Sequence, residues 1–147
     1  MPLLVDFDLV FLDKSWGWLN DPDIKKLTLT PDFTKTDQID FYNSLPQRTN
    51  YWIKGIMENG GPVGVVGLKN INETDAEYWG YIGEKSYWGK GLGSFMIHSS
   101  VEKAKELSLS KIYLKVSKEN ERAKQLYVKK GFQLIVDLEI EQYELHL

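Results

Sequence analysis

With 147 residues, a net charge of −3, 42% hydrophobic and 27% charged residues, the chain has the size and balance of one globular domain spanning 1–147. The lack of cysteine excludes disulfides, thiolate metal sites and an acyl-cysteine intermediate, and with only His98 and His146 as histidines no metal site is expected. No apolar run approaches the roughly 20 residues of a membrane span, and the opening Met-Pro-Leu-Leu-Val-Asp-Phe-Asp lacks the marks of a signal peptide, so a soluble, cytoplasmic protein is expected.

In chain order, Leu3 to Phe11 reads as a first strand and Leu12 to Leu19 as a short helix, interrupted around Asn20-Asp21-Pro22-Asp23. Thr36 to Leu45 has a second helical pattern, with Ile39, Phe41, Tyr42 and Leu45 apolar. Tyr51 to Met57 and Pro62 to Leu68 read as strands joined by the turn sequence Glu58-Asn59-Gly60-Gly61. Ala76 to Gly83 is the next predicted strand, and Leu92 to Leu107 a helix with a polar outer face that contains His98, read as structural. A strand from Lys111 to Val116, a helix from Glu119 to Lys130 and a closing strand pair, Phe132 to Asp137 with Glu139 to His146, complete the chain. Strands before and between helices predict a mixed α/β fold without repeats or an evident linker.

Charge is unevenly placed. Lys85 to Lys130 holds eleven Lys/Arg against four Asp/Glu, whereas residues 1 to 84 hold seven against thirteen. A basic block suits a polyphosphate ligand, and an acidic first half suits a cationic acceptor such as an amine. No nucleic-acid motif accompanies the basic block, so no nucleic acid is expected as a partner.

The basic block contains the most informative stretch. In Tyr81-Ile82-Gly83-Glu84-Lys85-Ser86-Tyr87-Trp88-Gly89-Lys90-Gly91-Leu92-Gly93, an apolar strand runs into a glycine-rich loop that opens a helix. Alternating glycines let backbone N–H groups approach an anion, and the helix aims its positive dipole end at the same place. Five residues separate Gly83 from Gly89 and Gly91 follows Lys90, which fails the P-loop spacing. The third glycine comes one place early for a dinucleotide fingerprint, and the following strand ends in Lys115 and Val116 rather than an acid.

Trp88-Gly89-Lys90-Gly91-Leu92-Gly93 instead resembles the acetyl-CoA pyrophosphate loop of the GNAT acetyltransferase superfamily, Gln/Arg-x-x-Gly-x-Gly/Ala, with Trp88 standing where that pattern has Gln or Arg. A second stretch, Asn120-Glu-Arg-Ala123-Lys-Gln-Leu126-Tyr127-Val-Lys-Lys-Gly131-Phe132, resembles the superfamily's later Asn-x-x-Ala-x-x-x-Tyr-x-x-x-Gly-Phe motif. It reads as a helix with Ser117 or Asn120 at its cap, Ala123, Leu126 and Tyr127 on one face, and Gly131 ending it. The resemblance, strongest from Glu77 to Phe132, implies a GNAT-like fold in which a central mixed, mostly antiparallel sheet is flanked by helices.

The resemblance also implies a function, acetyl transfer from acetyl-CoA directly to a primary amine, with no metal. Trp88 to Gly93 would hold the pyrophosphate, the strand end Tyr81, Ile82 and Gly83 the pantetheine arm, and Asn120 would contact that arm. Tyr127 occupies the family's tyrosine position and would give a proton or a hydrogen bond to the leaving sulfur. Alternation puts Glu77, Trp79 and Tyr81 on one strand face, and the base would be Glu77, Glu84 or a water chain. Trp16, Trp18, Trp52 and Trp79 form an aromatic set that serves either the core or an acceptor. The acceptor is expected to be a small amine such as an aminosugar nucleotide or polyamine. The alternatives are a protein N-terminus, or a non-catalytic acyl-CoA-binding module, in a monomer or homodimer.

Overall fold

Asp8 decides where the chain first turns helical. Its carboxylate accepts from the backbone N–H of Val10 (3.1 Å) and Phe11 (3.3 Å), two donors that the first helical turn would otherwise leave free. Strand β1 therefore covers only Leu3–Asp6, and helix α1 runs from Leu9 to Asn20. The strand expected to reach Phe11 is thus overridden, because a capping acid outweighs the strand preference of the apolar run Leu9-Val10-Phe11. Likewise Asp21-Pro22, expected only as an interruption, starts a further helix. Asp21 caps it, Pro22 fills the first position, where a missing N–H costs nothing, and α2 spans Pro22–Leu27. A reciprocal capping box between Thr34 and Asp37 opens α3, Lys35–Ser44.

The computed structural model describes residues 1–147, and the remaining elements fall close to the predicted ones. Strands β2 (Trp52–Glu58) and β3 (Gly61–Lys69) form a hairpin whose turn residues Asn59 and Gly60 both have positive φ, 52° and 78°, the requirement of a tight two-residue turn. Then follow β4 (Asp75–Ile82), α4 (Leu92–Glu106), β5 (Lys111–Ser117), α5 (Glu121–Lys129), β6 (Gln133–Val136) and β7 (Ile140–His146). Together the strands make one seven-stranded sheet in the order β1-β2-β3-β4-β5-β7-β6, antiparallel except for the β4–β5 pair. This is the mixed, mostly antiparallel sheet expected.

Helices cover both faces. On one, Leu92, Met96, Ile97 and Ala104 of α4 join Val66, Leu68, Ala76 and Tyr78 of the sheet in the larger core cluster, and Ala123, Leu126 and Tyr127 of α5 pack against it. On the other, Phe11 and Trp18 of α1 and Ile24 of α2 meet Val65 of β3. Burial on both faces explains why Val63 through Leu68 are buried without alternation.

Close approach depends on missing side chains. A Cβ at Gly55 would lie 2.4 Å from Phe11 Cζ, so α1 can rest on β2 only because that position is glycine. Gly55→Ala is therefore expected to lower stability by about 1–3 kcal/mol, as overpacking does. Gly61→Ala, where an added Cβ meets nothing within 4 Å, should stay within about 0.5 kcal/mol of the parent. Urea unfolding midpoints of the two variants check this.

Candidate active site

The site begins where two strands part. Parallel pairing of β4 with β5 covers only Asp75↔Lys111, Ala76↔Ile112 and Glu77↔Tyr113. Beyond that point β4 stays with β3 as far as Ile82↔Gly64, while β5 stays with β7 as far as Ser117↔Ile140. A wedge-shaped gap opens between them. Gly83 donates its N–H to Val63 O of β3 (2.8 Å). Peptide groups alternate direction along a strand, so Tyr81 and Trp79 also face β3, and the peptide groups of Gly80 and Ile82 face the gap. Of the three strand-end residues expected to hold a pantetheine arm, Ile82 thus presents backbone to the gap, whereas Tyr81 and Gly83 turn theirs to β3. Gly80 presents an N–H as well, and the sequence reading missed it. The signal was the parity fixed by Gly83, which needs a hydrogen-bond partner to be known.

The loop after β4 is built to receive an anion. Gly89 and Gly91 adopt φ of 75° and 85°, and a Cβ at either would meet nothing within 4 Å, so the glycines serve backbone conformation and leave open space above them. Gly91 is the N-cap of α4, makes no side-chain cap, and is followed by no acid in the first turn. The first-turn N–H groups of Leu92, Gly93 and Ser94 are consequently unpaired at the positive end of a 15-residue helix. Lys90 lies exposed between the two glycines. Trp88 anchors the loop: its indole Nε1 donates to Ile82 O (2.8 Å), on the gap side of β4. Lys85 is committed elsewhere, pairing with Asp21 (3.0 Å) and Asp23 (2.8 Å), which ties the loop to the start of α2. Those two carboxylates hold the Lys85 ammonium above its usual pKa, and Lys85 holds Asp21 below the ordinary carboxylate value.

Across the gap, α5 supplies Asn120 and Tyr127. Asn120 is the N-cap, its Oδ1 accepting from Ala123 N (3.4 Å), which leaves its side-chain N–H₂ without a partner. At the other end Gly131, with φ of 98°, allows Gly131 N to bond Val128 O and Phe132 N to bond Tyr127 O, both at 3.0 Å. This paired closure fixes the turn that carries Tyr127. The Tyr127 ring sits 6.2 Å from that of Tyr78 on β4 and 6.4 Å from that of Tyr143 on β7, so it bridges the two halves of the sheet where they separate. Its hydroxyl bonds no protein group, and burial alone pushes its pKa up to about 12. Gly93 admits this arrangement, since a Cβ there would lie 2.6 Å from Leu126 Cδ2 of α5.

Glu77 sits at the last paired position, 8% exposed, on the opposite strand face from Tyr78. Its carboxylate accepts from Asn70 Nδ2 (3.3 Å) and lies 3.8 Å from Lys69 Nζ. Glu84, the other candidate base, accepts from Trp18 Nε1 (3.2 Å). Beyond Glu77 on the same face, Trp79 and Tyr81 floor a cavity of about 390 Å³ roofed by α1 and α3. Its walls are chiefly aromatic and aliphatic, including Phe33, Phe41 and Tyr51, and Glu77 is not among them. Trp79 Nε1 is buried there without an acceptor. Of the aromatic set, Trp79 lines the cavity, and Trp18 packs over Gly83, where a Cβ would fall 2.1 Å from its ring. Trp16 stands against Phe33 at 5.3 Å. Trp52 lies on the α4 side of the sheet, in the larger core.

The model of the acetyltransferase (GNAT) family matches residues 16–132, most of the chain and both motif regions. The chain belongs to the GNAT acetyltransferase family. Solved structures agree on the fold. A domain from Methanocaldococcus jannaschii superposes with a TM-score of 0.86 at 21% identity, covering 100% of this chain and 99% of that one. Spermidine N-acetyltransferase from Vibrio cholerae, solved with CoA and spermine, gives 0.90 at 21% identity over 99% and 95% of the two chains. Campylobacter jejuni N-acetyltransferase PseH, solved with acetyl coenzyme A, gives 0.77 at 17% identity over 99% of each.

This GNAT protein is thus an acetyltransferase, and its residues fit acetyl-CoA, the donor that the motif resemblance implies. Uncapped N–H groups at α4 suit a pyrophosphate, and an unpaired strand edge suits a chain that carries amides. No group of three or more His, Asp or Glu side chains could hold a metal ion, and no helix is long and apolar enough to cross a membrane. Trp88→Phe keeps the ring but removes the hydrogen bond to Ile82 O, worth about 1 kcal/mol. Coenzyme A should bind this variant roughly fivefold more weakly by calorimetry.

Proposed function

We propose that this GNAT acetyltransferase transfers the acetyl group directly to the primary amine of a small molecule. The observation that carries this reading is the meeting of three unsatisfied features at one gap: the Gly80–Ile82 strand edge, the free N-terminus of α4, and the Tyr127 hydroxyl. Acetyl-CoA supplies an activated thioester. The rest of the chemistry belongs to the chain's own groups.

The backbone N–H of Gly80 or Ile82 donates to the thioester oxygen as charge develops on it. Glu77, directly or through water, takes the proton that the attacking amine must shed, since an alkyl ammonium has a pKa near 10.4. Tyr127 faces the departing sulfur. A phenol with a pKa of about 12 is a weaker acid than a thiol, near 8.5, so full proton transfer to the thiolate is uphill. Tyr127 therefore acts as a hydrogen-bond donor that stabilises the thiolate. Asn120 offers its free amide to the pantetheine arm.

A small acceptor is supported by the cavity beside Trp79 and Tyr81, whose volume of about 390 Å³ matches a small-molecule pocket. The Vibrio cholerae spermidine N-acetyltransferase, solved with CoA and spermine, supports the same class of small amine.

The test is thiol release from acetyl-CoA with a panel of aminosugar nucleotides, polyamines, amino acids and N-terminal peptides. Amine-dependent release is expected with one small-molecule class. No release while acetyl-CoA binds would favour a non-catalytic acyl-CoA-binding module, and release with peptides alone would favour a protein N-terminus. Tyr127→Phe is expected to lower kcat about 10²-fold with little change in acetyl-CoA affinity. Because burial raises this pKa, the phenol stays protonated, and the pH–rate profile should show no loss from its ionisation through about pH 10. Glu77→Gln should cost at least about 10²-fold in kcat/KM. A loss below about threefold would assign the proton to a water chain.

A further inference from the structure

The cavity against Trp79 and Tyr81 has an uneven charge that the overall composition conceals. Residues 1 to 84 carry thirteen acids, yet only Asp37 lines the cavity, and its Oδ2 already accepts from Thr34 N (2.9 Å) in the cap of α3. The others largely serve structure: Asp8 and Asp21 cap helices, and Asp6, Asp32, Glu58 and Glu77 pair with Lys54, Lys25, the N-terminal amine and Lys69. The acidic first half, which suggested a cationic acceptor, offers a single carboxylate inside the pocket, that of Asp37, and no ion-paired cluster.

Cations at its edge are placed differently. Of the seven Lys and Arg in this half, Lys25, Lys26, Lys54 and Lys69 are ion-paired. Arg48 has no carboxylate within ion-pair distance. Its Cζ lies 5.5 Å from the Phe41 ring and 5.2 Å from the Tyr51 ring, both cavity walls, and Nε donates to Ser44 Oγ (2.8 Å). The guanidinium is thus held in place by two aromatic faces and one hydrogen bond, with its terminal N–H donors unused. Tyr51 continues inward to Trp79, ring to ring at 6.0 Å, so this cation stands at the outer end of an aromatic wall that reaches β4. Burial pushes the Tyr51 phenol up, with Arg48 pulling against it. Lys35, also without an ion pair, lies 5.2 Å over Trp16, whose ring packs against Phe33 of the same cavity.

We infer that the acceptor is an amine with an oxyanion, phosphate or carboxylate, on a planar or apolar body, and that Arg48 holds the oxyanion at the cavity edge, while Lys35 stands at the opposite end of α3. The inference rests on the small-amine reading above and narrows it. A pre-placed guanidinium with a free fork suits an oxyanion, and aromatic walls suit a planar body. A polycation would meet the unpaired Arg48 at the cavity edge and, within, only the Asp37 carboxylate, one oxygen of which the α3 cap already holds.

The test compares four amines: an aminosugar phosphate, its uncharged parent aminosugar, an α-amino acid with an aromatic side chain, and spermidine. The phosphate and amino-acid arms distinguish the two sources of oxyanion. Each is assayed by thiol release and by calorimetric binding with the wild type, Arg48→Ala, Arg48→Glu and Lys35→Ala. The wild type is expected to prefer an oxyanion-bearing amine. Arg48→Glu should raise its KM and Kd by roughly tenfold or more, with kcat, acetyl-CoA affinity and the uncharged aminosugar unmoved. Arg48→Ala should move in the same direction by less, and Lys35→Ala, at the opposite end of α3, should leave oxyanion binding within about twofold of the wild type. Spermidine as the preferred amine, or oxyanion binding indifferent to Arg48→Glu, would overturn the inference while leaving amine acetylation intact. Thiol release with none of the amines would overturn acetylation of these classes, and the calorimetric arm would still decide whether Arg48 binds an oxyanion.

Discussion

One lost strand pairing organises this molecule. β4 and β5 share only three register positions before β4 follows β3 and β5 follows β7. Backbone polar groups freed in this way must find water or a ligand, because leaving them buried and bare costs about 1–3 kcal/mol each. The protein satisfies one itself, through Trp88 Nε1 on Ile82 O, and leaves the others facing the gap. Everything chemical gathers around that edge. The uncapped α4 lies at its far end, Tyr127 bridges its two walls, and Glu77 stands where it begins.

Such a gap needs rigid surroundings, and here glycine provides them by what it lacks. Met96 of α4 reaches β4 because a Cβ at Gly80 would fall 2.4 Å from Met96 Cε. Trp18 lies flat against Gly83, and Leu126 of α5 approaches α4 at Gly93. At all three places a side chain from a helix fills the volume that a Cβ would occupy. The gap is therefore held open from outside, by packing on β4 and between α4 and α5. Gly89 and Gly91 differ in kind, for they are needed for left-handed backbone and face open space.

Electrostatics show the same division of labour. Sequence charge pointed to a basic cofactor side and an acidic acceptor side. The basic side is consistent with the uncapped helix and exposed Lys90, but Lys85, which belongs to the same basic block in sequence, is spent on Asp21 and Asp23. On the acidic side the carboxylates are mostly consumed by helix caps and ion pairs, so local commitment, not net charge, sets what the cavity can bind. Arg48 stands out only when its neighbours are known to be aromatic rings.

The sequence by itself determined the family, the element order from β2 onward, the glycine loop that opens α4 and the Asn120–Tyr127 helix. These are local: alternation, capping, glycine positions and short motifs involve residues within one or two turns of each other. It also erred locally, where Asp8 and Asp21-Pro22 reset element boundaries that hydrophobic alternation alone had drawn. Tertiary structure decided which peptide groups of β4 face the gap, that Glu77 is tied to Lys69 and Asn70, and which acids remain free. These depend on register and on partners such as Arg48 and Tyr51 meeting across the fold, and pairing between distant segments leaves no periodic trace in either one.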